Sequence, residues 1–352
     1  MNLKFLLLIF SVFSFPFLSV GQEATSDTEE EELSSIEISG SIDGYYRLGS
    51  LQSPSQTAIV LEHNKPALGS FNLAVNYDTQ NYGGLLHFAA GPRAEQSYNL
   101  DDNNVLRYIR QSYIYYKPID KLKLWAGTAG ALPGYENDEP HLNPTYSTSF
   151  LNSLIPGIHT GLWLDYEITD QLAFNIGVYN DMDRRIDVTP GKHLGSMISY
   201  ENDNHTISIS YVMGKEGEQD LKIIDMLWDY QIDQKNAVAL ELLYNSYKSA
   251  DLPVEDFYGF GAYYIHDISD DLSLNMRCEY MKDNAGFSFD VQDVSVWDLT
   301  LTAKYQIGDF LFMPELRYDR ANKPSFLDKD NNINAENIYF LLGLIYYIGE
   351  VR

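Results

Sequence analysis

Beyond residue 35 apolar residues recur at every second position in runs of about ten, the period of a strand with one apolar face, and a helical period is almost absent. One unit repeats. YEITDQLAFNIGVY at 166–179 has an aromatic, a few turn-forming polar residues and then alternating apolar positions. Similar stretches begin at Tyr77 (YDTQNYGGLLHF), Tyr116 (YKPIDKLKLWAG), Tyr200 (YENDNHTISIS), Tyr230 (YQIDQKNAVALEL), Tyr264 (YIHDISDDLSLNM) and Tyr305 (YQIGDFLFMPEL). Each reads as a strand end, a tight turn and the next strand.

Longer, irregular connections lie between these turns, near 49–69, 92–104, 131–157, 180–193, 214–220, 248–256, 282–295 and 320–336. Strict alternation of short and long links predicts about sixteen strands, from IEISGSIDGYYR to NIYFLLGLIYYI. An even count with both chain ends on the short-turn side suits an antiparallel up-and-down barrel. A sheet embedded in lipid has to close, because an open edge would leave backbone groups unpaired. The expected fold is therefore an all-β transmembrane barrel over 36–352, with short periplasmic turns and long extracellular loops.

The two faces of the strands differ. Leu162, Leu164, Tyr166 and Ile168 share one face, as do Leu299, Leu301, Ala303 and Tyr305, while the alternates include Trp163 with Asp165 and Asp298 with Thr300 and Thr302. A soluble sandwich would turn the apolar set inward; a membrane barrel turns it outward to lipid. The chain start favours the barrel. Lys4 and the run FLLLIFSVFSFPFLSV ending in small residues read as a secretory signal over 1–21, followed by an acidic polar leader over 22–35. No later run reaches the roughly 20 apolar residues of a spanning helix. Tyr77, Tyr116, Tyr166, Tyr200, Tyr230, Tyr264 and Tyr305 occupy matching points of the repeat, as an aromatic girdle at the headgroup level would. The plainer reading is that Tyr is simply a good strand residue.

Composition narrows the partners. The 352 residues are 45% hydrophobic and 14% aromatic, which excludes simple disorder. A formal charge of −26 argues against a phosphate-binding face, so no nucleic acid is expected. The single cysteine, Cys278, rules out an intrachain disulfide. The histidines are scattered, with no G-x-S-x-G or H-E-x-x-H motif, so neither catalysis nor a cofactor is expected. The clusters NLDDNN at 99–104 and LDKDNNIN at 327–334 lack calcium-loop spacing and fit ordinary turns, so no metal is expected.

Three stretches, ISGSIDGYYR at 38–47, RQSYIYYKPIDKLKLWAGTAG at 110–130 and PGIHTGLWLDYEITDQLAFNIGVYND at 156–181, resemble the OmpL-like β-barrel porins of Gram-negative outer membranes. The resemblance implies a channel and carries over no catalytic residue. Barrels of this kind commonly end on an aromatic, whereas this chain ends IYYIGEVR, so Tyr346 and Tyr347 would supply that feature early.

About sixteen strands enclose an aqueous lumen, so the expected function is passive diffusion of small hydrophilic solutes or ions, with outer-membrane lipid and a homotrimer as further partners. The alternative is an adhesion or ligand-binding barrel with a plugged lumen. The longest connection, PGYENDEPHLNPTYSTSFLNSLIPG from Pro133, carries Glu136, Asp138, Glu139 and His141. General porins fold their third outer loop inward. This stretch holds the same ordinal place, so it either constricts the pore or covers the outer mouth. Inward-phased candidates are Asp43, Lys123, Asp225, Glu241, Arg277, Glu279, Asp298, Glu315 and Arg317, and Asp165, Glu167, Asp229, Asp267 and Asp319 against Arg47 and Lys304. The acidic excess predicts a mild cation preference. Arg277/Glu279 and Glu315/Arg317 form either opposed charge ladders across the lumen or salt bridges between strands.

Overall fold

The computed structural model describes residues 34–51, 60, 62–97, 105–249, 254–289, 291–328 and 330–349. The signal, almost all of the leader and the 99–104 cluster lie outside them. Sixteen antiparallel strands close into one barrel. They are β1 (Ser35–Gly49), β2 (Pro66–Asp78), β3 (Tyr82–Ala90), β4 (Ile109–Ile119), β5 (Leu122–Gly130), β6 (Ile158–Glu167), β7 (Leu172–Tyr179) and β8 (His193–Glu201). The second half comprises β9 (His205–Glu216), β10 (Gln219–Gln231), β11 (Asn236–Lys248), β12 (Glu255–Ser269), β13 (Leu272–Asp283), β14 (Val294–Ile307), β15 (Phe310–Ala321) and β16 (Glu336–Ile348). Each strand pairs with its sequence neighbour, and β1 closes the ring on β16 from Gly40↔Ile348 to Gly49↔Tyr339.

The seven repeated units are the seven tight turns at one end. Asx geometry shapes several of them; the Asp233 carboxylate, for example, accepts from the Lys235 amide at 2.8 Å. One outer connection departs from the expected alternation. Between β9 and β10 only two residues turn the chain, and Gly217 supplies the positive φ of +60° that the turn needs. The other long connections are long, and the one after β3 carries a short helix, α1 (Pro92–Ser97).

The faces sort as the alternation requires. Leu162, Leu242, Leu299, Leu301, Phe340 and Leu342 are exposed on the outside, whereas Trp163, Asp165, Glu241, Asp298 and Thr300 point into the lumen and are buried. Strands of eight to fifteen residues are long enough to cross a bilayer when tilted. Among the described residues no helix is long and apolar enough to do so. The hydrophobic core therefore sits in the lumen, where apolar residues of 131–157 pack against the more numerous inward-facing apolar residues of the wall.

Candidate functional site

Residues 131–157, the third long connection, run through the barrel interior. The reason is in the loop's own composition: Leu132, Tyr135, Leu142, Tyr146, Phe150, Leu151 and Ile155 are too apolar for a solvated cover, and all are buried. Phe150 and Leu151 pack with Val294 and Val296 of β14 and Met281 of β13. Tyr146 packs with Leu311, Met313, Leu341 and Ile345, which explains why β16 is apolar on both faces. Gly343 sits under that ring, and a Cβ there would run into it.

A loop taken out of water has to find partners for its backbone. Wall carboxylates accept its amides. Glu315 on β15 takes the Tyr146 amide at 2.7 Å and the Ser147 amide at 3.2 Å. Glu279 on β13 takes those of Phe150 at 2.9 Å and Leu151 at 2.7 Å, and Asp225 on β10 takes that of Gly134 at 2.7 Å. Wall cations serve its carbonyls. Arg277 donates to Ser147 O at 2.6 Å, Arg317 to Thr148 O at 2.7 Å, and Lys304 to Asn143 O at 2.8 Å.

The loop's polar side chains reach the opposite wall. Glu139 accepts from Ser41 on β1 at 2.8 Å and from Arg110 on β4 at 3.0 Å. Burial alone would raise its pKa; Arg110, His87, His141 and the Ser41 hydroxyl outweigh that and hold it below the usual carboxylate range. The Tyr146 hydroxyl donates to Asp43 on β1 at 2.5 Å, and Asp43 also accepts from Arg93 of α1 at 2.9 Å. Arg93 in turn donates to Asp138 O at 2.8 Å. Glu136 turns back to the far wall, binding Arg277 at 2.7 Å and the Ser149 amide at 2.6 Å. His141 stacks on Tyr347 with ring centroids 4.9 Å apart.

Arg277 and Arg317 do not face acidic partners across an open lumen. Asp298 on β14 lies between them, bonding Arg277 at 3.1 Å and Arg317 at 2.6 Å, and Asp319 adds a further bond to Arg317 at 2.7 Å. These charges tie neighbouring strands together and hold the loop. Lys123 stands apart, over the rings of Tyr115 and Trp125 at 4.4 and 4.5 Å. Glu241 is inward and fully buried. All seven repeat tyrosines lie on the outward face next to the tight turns; Tyr77, Tyr116, Tyr166, Tyr264 and Tyr305 are exposed, and Tyr200 and Tyr230 half-buried. In the second acidic stretch Asp328 organises a turn, accepting the Asp330 and Asn332 amides at 2.8 Å each. Among the described residues no group of three or more His, Cys, Asp and Glu side chains could hold a metal ion.

Sequence reasoning did not single out Ser41, Arg93, Arg110 or Tyr146. The signal for Tyr146 was there, as large apolar residues in a loop otherwise rich in Pro, Asn and Ser. For the two arginines there was none, because their acidic partners lie 29 to 50 positions away.

A closed sixteen-stranded barrel, apolar outside and with its third outer loop folded inward, defines an outer-membrane porin-type channel. The family model described as "Putative beta-barrel porin-2, OmpL-like" matches residues 35–348, and the chain belongs to that family. Solved porins share the fold at low identity. OmpF of Salmonella typhi, in complex with daunomycin, superposes with a TM-score of 0.62 at 12% identity, covering 89% of this chain and 97% of that one. The trimer form of OmpT from Vibrio cholerae gives 0.60 at 12%, covering 90% and 99%. An anion-selective porin from Comamonas acidovorans gives 0.60 at 11%, covering 90% and 100%. The comparison with curated proteins found no match.

Proposed function

We propose that this barrel is a passive diffusion channel for small hydrophilic solutes or ions, with residues 131–157 as its constriction and a mild preference for cations. The observation that carries this reading is the loop itself, pinned to β1 and β4 on one side and to β13–β15 on the other inside a closed barrel. The acidic excess among inward residues supports cation preference. A Gram-negative outer-membrane location, export by the 1–21 signal, the 22–35 leader and the tyrosine girdle belong to the same reading. A homotrimer fits it too, since the OmpT structure above is a trimer form.

A second reading, a plugged barrel serving adhesion or ligand binding, draws on the burial of wall residues beneath the loop: Glu279, Asp298 and Arg317 are all 0% exposed. Planar bilayers separate the two. Discrete conductance steps, with a reversal potential in a KCl gradient displaced toward potassium, are expected; an anion-selective potential refutes the cation preference, and silence from folded protein favours the plug.

A further inference from the structure

The outward face is apolar along most of each strand, and its cations are not spread evenly. Among the described strands, the Lys and Arg residues at outward positions are Lys215 on β9, Lys222 on β10, Lys248 on β11, Lys282 on β13 and Arg320 on β15. Every one lies at the outer end of its strand, away from the repeated tyrosines. Those on β9, β10 and β11 are on adjacent strands.

The register sets them in rows. Lys215, Asp220 and Lys248 lie side by side, and the next outward row toward the membrane centre is Met213, Lys222 and Ser246. Below it come Tyr211, Ile224 and Tyr244. Asp220 leans toward Lys215 at 3.8 Å, in a pair whose side chains are 64% and 58% exposed, an arrangement that holds little. Lys222 and Lys248 are both exposed, and among the described residues no carboxylate lies within 4.0 Å of either ammonium. Asp256, opposite Ser246 on β12, accepts from Asn284 at 2.7 Å.

Lys222 is the informative residue. It stands in the same row as Met213 and next to Ile224, which are exposed at 40% and 46% and face acyl chains in a membrane barrel. An ammonium there reaches up along its own stem to headgroup level, and in a medium with little water it needs an anion. The protein supplies none. The missing charge has to come from a molecule that also covers Met213 and Ile224.

We propose that Lys222, Ser246 and Lys248 hold the phosphate of an outer-leaflet lipid whose acyl chains run down Met213, Ile224 and Tyr244. Two ammonium groups and a hydroxyl donor suit phosphate oxygens, and basic side chains at headgroup depth bind such lipids. Three lysines against Asp220 and Asp256 leave a single net positive charge in the patch. A free anion is therefore held weakly, and the apolar rows supply the rest. The site rests on the outer-membrane reading above and is independent of conduction.

The test is native mass spectrometry of the protein folded in detergent, with purified bisphosphorylated lipid A, its dephosphorylated form and inorganic phosphate as probes. The wild type is expected to retain the phosphorylated lipid over the dephosphorylated one by about threefold or more. Lys222→Gln with Lys248→Gln should abolish that preference, and Lys222→Arg with Lys248→Arg should keep it. Arg320→Gln, elsewhere on the rim and 3.8 Å from Glu336, should leave it unchanged. A glutamine double variant with heat-modifiable mobility and undiminished preference overturns the site. Displacement of the lipid by inorganic phosphate overturns the lipid as its occupant. A barrel that holds the lipid but never conducts supports the site and overturns the channel reading alone; a protein that stays dissolved without detergent overturns the membrane reading and the site together.

Discussion

At the residue scale, the chemistry of the lumen is set by which charged groups found partners inside it. Asp138 of the loop is 17% exposed and 3.6 Å from Arg110. Burial raises its carboxyl to about 6; Arg93 opposes that shift and Glu139 adds to it. The folded chain therefore holds this proton more firmly than the unfolded chain, whose carboxyl titrates near 3.8. The stability it contributes is complete below that value and is lost as pH rises to about 6, a change of about 1 to 3 kcal/mol. Denaturant titrations in detergent between pH 4 and 7.5 should show this slope, and Asp138→Asn should flatten it.

At the scale of elements, residues 131–157 form an irregular core segment, with apolar side chains seated on the wall and backbone groups answered by charged ones. Replacing Glu315 with Ala removes the acceptor of two buried amides, each worth about 1 to 3 kcal/mol when left unmet. The loop should then leave the wall near Tyr146. Single-channel conductance is expected to rise severalfold while the barrel keeps its heat-modifiable mobility; unchanged conductance would mean that the apolar seat alone holds the loop. How legible this was in the sequence differs by part. The loop's length and ordinal place were visible, and inward parity marked Glu279, Glu315, Arg277 and Arg317. Whether they line water or grip a loop was not visible, because Tyr146 and Glu315 are 169 positions apart. The two-residue turn at Gly217 was also missed, since the polar stretch KEGEQD looks like a loop although Lys215 and Glu216 finish one strand and Gln219 and Asp220 start the next.

At the scale of the whole molecule, the outside is the feature that distinguishes this barrel from a soluble one. Rows such as Leu299–Leu301 and Phe340–Leu342–Leu344 are exposed on every side of the closed sheet, and such a continuous apolar surface is tolerable only in lipid. Leu301→Arg, near the middle of β14, should cost about 2 to 4 kcal/mol. Unfolding of the protein in lipid vesicles by guanidinium measures this directly, and a loss under 1 kcal/mol would place that row away from the bilayer midplane.

The sequence by itself determined the count of about sixteen strands, the end that carries the tight turns and the outward and inward parity of the strands with clear alternation, because period-two alternation and turn chemistry are local properties that survive without knowledge of contacts; the resemblance of three stretches pointed to the family. Only the tertiary structure decided that the longest loop enters the lumen and that Arg277 and Arg317 pair with Asp298 rather than facing open water. Those outcomes depend on which distant groups meet once the ring has closed. Closure is a global condition, and no stretch of a dozen residues contains it.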